Sequence, residues 1–108
     1  MPYARGMTTT PAALEGLRVV EVGGGLAAAY ATKLLGLLGA DVLKVEPRAG
    51  DPERLVGPFR DDVVDVDRGG GLFRYCNADK RSVVADLDGD DDLTTVRSLL
   101  AGADVVVE

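Results

Sequence analysis

The sequence predicts an α/β fold, a Rossmann-like parallel sheet that is incomplete within these 108 residues. Three observations carry that expectation. First, a short apolar strand runs through three glycines into a helix of strong helix formers, and a second apolar strand follows. This is the order of a right-handed parallel crossover. Second, the joint LLGADV at Leu37–Val42 recurs as LAGADV at Leu100–Val105, each an apolar helix end, a glycine, an Ala-Asp turn and a new strand. Two such joints in a short chain point to a layered parallel sheet rather than a helical bundle. Third, four strands and two good helices are too few to cover both faces of a buried parallel sheet. That predicts a part of a larger protein, or dependence on another chain.

The elements follow in order. Residues 1–13 (MPYARGMTTTPAA) read as a flexible leader, in which Met7 could be an alternative start. A strand is expected over Arg18 to Val22, then the turn Gly23 to Gly25, then a mostly buried helix from Leu26 to Leu38 without a strict polar face. Gly39 stands where a left-handed C-cap ends a helix. Val42 to Glu46 (VLKVE) is a second strand, stopped by Pro47. Residues 47–68, with three prolines and many acids, form an excursion loop. A helical turn is expected around Leu72 to Cys76 and a third strand over Ser82 to Asp86. Leu93 to Ala101 is an amphipathic helix with Leu93, Val96, Leu99 and Leu100 on one face, and Val105 to Val107 is a fourth strand. The central expectation is that the VLKVE and SVVAD segments lie in one sheet with the opening strand, with the glycine turn at its edge.

Composition narrows the function. With 12 basic and 18 acidic residues the net charge is −6, which argues against nucleic acid as a partner. No stretch approaches a membrane span, and the first twenty residues lack an apolar segment of signal-peptide length. The single cysteine, Cys76, permits no internal disulfide and fits a cytoplasmic, reducing compartment. The absence of histidine removes Ser-His and Cys-His catalysis and histidine metal sites from this segment.

The turn Gly23-Gly24-Gly25-Leu26-Ala27-Ala28 fits G-x-G-x-x-G/A, and Glu46 stands where a ribose-binding acid is expected. Glycines let a phosphate approach backbone N–H groups at a helix start. On the residues alone this suggests a nucleotide-bearing ligand, CoA or an NAD-like cofactor, beside the plain alternative of a tight turn that binds nothing. Lys80 and Arg81 are adjacent cations that suit a phosphate or, more simply, anchor their loop on nearby carboxylates. The acids Asp86, Asp88, Asp90, Asp91 and Asp92 do not make a calcium loop, because Gly89 comes one place early and Arg97 takes the twelfth position. Helix capping and solubility account for them. Cys76 reads as a buried, inert thiol with no base beside it, and Asp61, Asp62, Asp65 and Asp67 as a solvated loop.

Taken together, LEGLRVVEV (14–22), GLAAAYATKLLGLLGADVLKVEPRAGDP (25–52), LFRYCNADKRSVVADL (72–87) and LLAGADVVVE (99–108) resemble the N-terminal part of the large domain of family III CoA-transferases, the CaiB/BaiF type. The resemblance covers residues 14–108, with GADVLKVEP and NADKRSVVADL its most specific parts. It implies an enzyme several times longer, moving CoA between carboxylic acids, with two subunits interlocked as a homodimer. An aspartate attacks the acyl-CoA thioester, giving a mixed anhydride and then an aspartyl-CoA thioester. That aspartate lies beyond residue 108, so no catalytic residue is assigned here. The resemblance further implies that CoA or acyl-CoA comes as substrate and that no cofactor is tightly bound; no metal-ligating residue is assigned in this segment. It places CoA contacts at Gly25, Leu26 and Ala27 in the first turn and at Ala85 and Asp86 at the end of the third strand. Arg48 stands in for an adenine-flanking arginine, since Pro47 occupies the matching place. An acid at position 86 departs from what a phosphate would want.

Three functions therefore compete. The first is CoA transfer by the longer enzyme, or the α-methylacyl-CoA racemase chemistry of its relatives. The second is an NAD-type dinucleotide-binding domain of an oxidoreductase, for which Glu46 is the discriminating residue. The third is a non-catalytic module that meets a partner chain through its unfinished sheet.

Overall fold

A computed structural model describes residues 10–108, so residues 1–9 of the expected leader lie outside the described residues. Four strands, β1 (Arg18–Glu21), β2 (Asp41–Glu46), β3 (Arg81–Val84) and β4 (Val105–Val107), form one parallel sheet in the order β3-β2-β1-β4. A doubly wound sheet begins with the same order. The strands VLKVE and SVVAD thus lie beside each other in the sheet of the opening strand, as expected. Three helices complete the fold: α1 (Leu26–Leu37), α2 (Gly71–Asn77) and α3 (Asp90–Ala101).

Alternation along the strands sends successive side chains to opposite faces. Val20, Val45 and Ala85 meet Val96 of α3 in an apolar core, flanked by Val22, Val83, Leu99 and Leu100. Burying a valine or leucine side chain stabilises by about 1.5–3 kcal/mol. The other face carries Glu21 and Lys44, and Thr32 of α1 donates to Glu21. The sheet is therefore apolar toward α3 and ionic toward α1.

Gly39 ends α1 as its position predicts. Its φ is 106°, its N–H bonds the Gly36 carbonyl at 3.0 Å, and the Ala40 N–H returns to the Leu35 carbonyl at 3.1 Å. These are the paired bonds of a Schellman end, which an L side chain at Gly39 would strain. The second joint repeats the letters but not this geometry. Gly102 is itself the C-cap, with φ −90°, and the Gly102 and Ala103 N–H groups bond the Leu99 and Leu100 carbonyls. Its aspartate does separate work: Asp104 Oδ2 accepts the Arg18 N–H at 2.8 Å.

Several expectations need correcting. Helix α1 is not mostly buried: only Ala28, Ala29 and Thr32 are, while Leu26, Tyr30, Leu34 and Leu37 are exposed. Alanine and leucine all around a helix reveal propensity but not which face has a neighbour. The turn near Leu72 is the two-turn helix α2, lying against α1. Strand β3 begins at Arg81 and ends at Val84, although the Ala85 N–H still bonds the Glu46 carbonyl at 2.8 Å. Helix α3 starts at Asp90 rather than Leu93, so Asp90, Asp91 and Asp92 form its first turn, where negative charge suits the helix dipole. No side chain caps it; Gly89 is the N-cap. The excursion loop contains two short 3-10 turns, Pro52–Leu55 and Arg60–Asp62.

Candidate functional site

Parallel strands end together, so the segments after β1, β2, β3 and β4 share one edge of the sheet. In the order β3-β2-β1-β4 the chain leaves β2 on one side of β1 and reaches β4 on the other. The crevice at such a reversal is where open parallel sheets bind ligands. The glycine turn opens onto it. Gly23 and Gly25 have φ of 80° and 116°, conformations that favour glycine. Gly25 is the N-cap of α1, and no side chain caps that end. The first N–H groups of a helix have no intrahelical acceptor, so the turn presents backbone donors at Leu26 and Ala27. Both residues are exposed. A side chain on Gly23 would touch Glu108 beyond β4 at 3.7 Å, which places the turn beside the fourth strand's end.

The next segments meet directly. The Arg48 N–H donates to Asp86 Oδ1 at 2.9 Å, joining the ends of β2 and β3. The Arg48 guanidinium forks onto Asp92 at 2.9 and 3.0 Å, and its Nε lies 3.4 Å from Asp86 Oδ2. Asp92 Oδ2 also accepts the Asp86 N–H at 2.9 Å. That backbone donor holds the Asp92 carboxyl below its ordinary range, with Arg48 adding to the effect. The acid at position 86, out of place beside a phosphate, thus has a partner: it orients Arg48. Ala85, the neighbour of Asp86 in the chain, is buried in the core against Val96 of α3. Arg48 and Asp86 come together as one cluster, Ala85 beside them in the chain faces the core, and Gly25, Leu26 and Ala27 form a second group on the same edge.

Behind the edge lies a buried ionic network that the residue pattern did not reveal. Glu21, fully buried, accepts from Lys44 Nζ at 2.7 Å through Oε2. Its Oε1 accepts from Lys80 Nζ at 2.8 Å and from the Thr32 hydroxyl at 2.7 Å. Lys44 Nζ also lies 2.7 Å from Asp51 Oδ2, an ion contact without good hydrogen-bond alignment. Burial pushes the Glu21 carboxyl up, but its three donors outweigh that and leave it below the ordinary value. Burial likewise depresses Lys44, and Asp51 and Glu21 lift it above the usual lysine range. Lys80 stays low, because burial exceeds the attraction of Glu21. The signal was present in the sequence as single charges inside apolar strands, and Glu21 pairs with Lys44 across the β1–β2 register.

Lys80 therefore anchors its loop, with further bonds to the Ala29 carbonyl at 2.9 Å and Asn77 Oδ1 at 2.8 Å. Arg81 is held by Asp41 at 2.6 and 3.1 Å. Glu46 is also engaged. Both of its oxygens receive the Arg54 guanidinium, at 2.8 and 2.9 Å, and Oε2 receives the Asp51 N–H at 3.3 Å. Burial raises this carboxyl, and Arg54 more than compensates, holding it low. A ribose hydroxyl would have to displace that fork, so the dinucleotide reading loses its discriminating residue. Cys76 is buried and free. Among the described residues no group of three or more His, Cys, Asp or Glu is arranged to hold a metal, and no helix is long and apolar enough to cross a membrane.

Comparison with known proteins points to one family. The chain is 46% identical over 96 residues to a succinyl-CoA:mesaconate CoA-transferase of Haloarcula hispanica, covering 89% of this chain and 24% of the relative. It is 40% identical over 97 residues to a succinate–glutarate CoA-transferase of Agrobacterium fabrum, covering 88% of this chain and 24% of the relative. A crystal structure of a CaiB/BaiF family protein from Brucella suis superposes with a TM-score of 0.77 at 38% identity, over 90% of this chain and 25% of that one. The chain thus spans about a quarter of the length of the curated relatives it matches. Neither a dinucleotide oxidoreductase nor a racemase is favoured by these relatives. The sequence model of CoA-transferase family III matches residues 14–108, and the chain belongs to that family.

Proposed function

We propose that the protein carrying this chain transfers CoA between carboxylic acids, and that the carboxyl edge described above receives the nucleotide end of acyl-CoA. The observation that supports it most is the uncapped glycine turn into α1, placed where the strand order reverses. Gly25, Leu26 and Ala27 offer backbone donors at the turn. Arg48, steered by Asp86 and Asp92, offers the flat face of its guanidinium to an adenine ring. The chemistry is a carboxylate attack on the thioester that expels CoA thiolate and leaves a mixed anhydride; the thiolate then attacks the aspartyl carbonyl, releasing the donor carboxylate and leaving an aspartyl-CoA thioester. Its nucleophile is an aspartate outside these 108 residues, and this segment supplies binding rather than bond-making. CoA enters as substrate, and the reaction needs no tightly bound cofactor. The exposed apolar side of α1 fits burial by a second subunit of a homodimer. A cytoplasmic place fits a chain with a lone, reduced cysteine.

The two relatives named above are a succinyl-CoA:mesaconate and a succinate–glutarate CoA-transferase, so succinyl-CoA and a dicarboxylic acid are the first substrates to try. The test is chromatographic detection of new acyl-CoA after incubating the intact protein with succinyl-CoA and each acid, beside calorimetric titration with CoA and with NADH. Transfer, with CoA bound and NADH ignored, is expected. NADH binding in preference to CoA would overturn the reading.

A further inference from the structure

We infer that Asp51 is a positioning residue that sets the glycine turn against the buried ionic network; the inference rests on the reading that this turn receives CoA. Asp51 is buried in the segment after β2, at the N-cap of the Pro52–Leu55 turn, where its Oδ1 accepts the Glu53 N–H at 2.9 Å. Its other oxygen sits on Lys44 Nζ at 2.7 Å, and Lys44 in turn holds Glu21. The same side chain forms a wall for the turn: a methyl on Gly24 would lie 3.3 Å from Asp51 Oδ1 and 3.3 Å from Pro52 Cδ. Gly24 is thus held close to the carboxylate, with room for hydrogen and none to spare for carbon.

The connections place the turn between two parts of one network. Glu21, two residues before Gly23, grips the chain as it leaves β1. Asp51 supports the flank of Gly24 from the neighbouring segment. Lys44 ties these two carboxylates together, and Lys80 ties Glu21 to the start of β3. The cation between the carboxylates makes the support stiff, because neither can shift without separating buried opposite charges. A backbone cradle binds tightly when its donors are fixed before the ligand arrives. A turn with two glycines at positive φ is otherwise free to move. Asp51 therefore restricts the one segment that glycine leaves loose.

Asp51→Asn and Gly24→Ala disturb this contact from its two sides. Asparagine keeps the shape but ends the ion contact with Lys44. Alanine pushes on the carboxylate from a position whose own backbone accepts a side chain. The measurement is CoA affinity of the intact enzyme by calorimetry, with thermal melting alongside. Each variant should weaken CoA binding by about tenfold, a shift of roughly 1.4 kcal/mol. The double variant should weaken it by clearly less than the product of the two, since both act on one contact. The donor KM should rise with kcat nearly unchanged, because the bond-making group lies elsewhere. A lowered melting point with wild-type CoA affinity in Asp51→Asn, or strict multiplication in the double variant, would show that Asp51 is merely structural. Should Asp51→Asn not fold, Gly24→Ala decides alone: unchanged affinity there overturns the inference. If the unaltered enzyme binds no CoA, the proposed function itself fails, and this inference with it.

Discussion

Replacing Glu21 by glutamine probes the buried network at its most connected member. Glu21 accepts from two ammonium groups and one hydroxyl with no exposure to water. With charge centres roughly 4 Å apart and an effective dielectric of about 20, each ion contact is worth roughly 4 kcal/mol. Each buried ion also loses several kcal/mol of hydration. The intact network therefore comes close to neutral, while removing its shared carboxylate is costly. The glutamine carbonyl can still accept at one end, but the NH2 at the other faces a lysine donor it cannot accept from, and both ammonium groups lose the opposite charge. Beyond it Lys80 keeps the Ala29 carbonyl and Asn77 Oδ1, and Lys44 keeps Asp51. Breaking a buried pair in this way costs about 3–5 kcal/mol, a large part of the ~5–15 kcal/mol that keeps a domain folded. Urea unfolding followed by far-UV circular dichroism should show that loss. Asp41→Ala, which breaks the exposed pair with Arg81, should cost no more than about 1 kcal/mol. A Glu21→Gln loss as small as the Asp41→Ala loss, at unchanged denaturant slope, would refute the reasoning.

Other expectations concern acid, backbone and the edge arginine. Glu21 and Glu46 both titrate below the ordinary 4.5 in the folded chain. Their stabilising contribution is therefore complete above about pH 4.5 and is lost as pH falls through the depressed folded values, so urea midpoints should drop there and drop less in Glu46→Gln. Gly25→Ala meets no neighbour within 4 Å, yet its φ of 116° and ψ of 153° belong to a region open essentially to glycine alone. It should cost about 1–3 kcal/mol from backbone strain, read as a lower melting temperature, and a neutral result would mean the turn relaxes freely. Arg48→Ala removes only exposed ion contacts, so stability should change by less than about 1 kcal/mol. CoA affinity should nevertheless fall by roughly tenfold, as for a lost stack of a cation on a ring; unchanged affinity would remove Arg48 from the site.

The order of strands and helices was legible because local signals announce it. Gly39 can hold φ of 106° where other residues resist, and Pro47 stops a strand, so such boundaries lie in single residues. The glycine turn was legible for the same reason. What stayed hidden depends on partners far along the chain. Glu21 and Lys44 look like incidental charges in VVEV and VLKVE until the parallel register sets them side by side. Lys80 meets Glu21 from 59 residues away. Arg48 showed its charge but not its orientation, which needed Asp86 and Asp92 from the β3–α3 segment. The exposed leucines of α1 were misread because helix propensity is local whereas burial is not.

Why a parallel sheet should carry ions on one inner face is best answered by what they forbid. Glu21 lies opposite Lys44 in the observed register. Sliding β2 by two residues would set Glu21 against Val42 or against Glu46, leaving a buried charge unpaired or facing its like. The face toward α3 discriminates less, since the same slide would set Val20 against Val45 in one direction and against the exposed Asp41 in the other. A two-member pair and a four-member network differ in one testable respect. Exchanging Glu21→Lys together with Lys44→Glu preserves the pair, but it sets the new lysine against Lys80 and the new glutamate against Asp51. The exchanged protein should therefore unfold at far lower urea than the parent, with little recovery over either single substitution. Recovery to near the parent midpoint would mean that Lys80 and Asp51 stand outside the network, leaving Glu21 and Lys44 as an isolated pair.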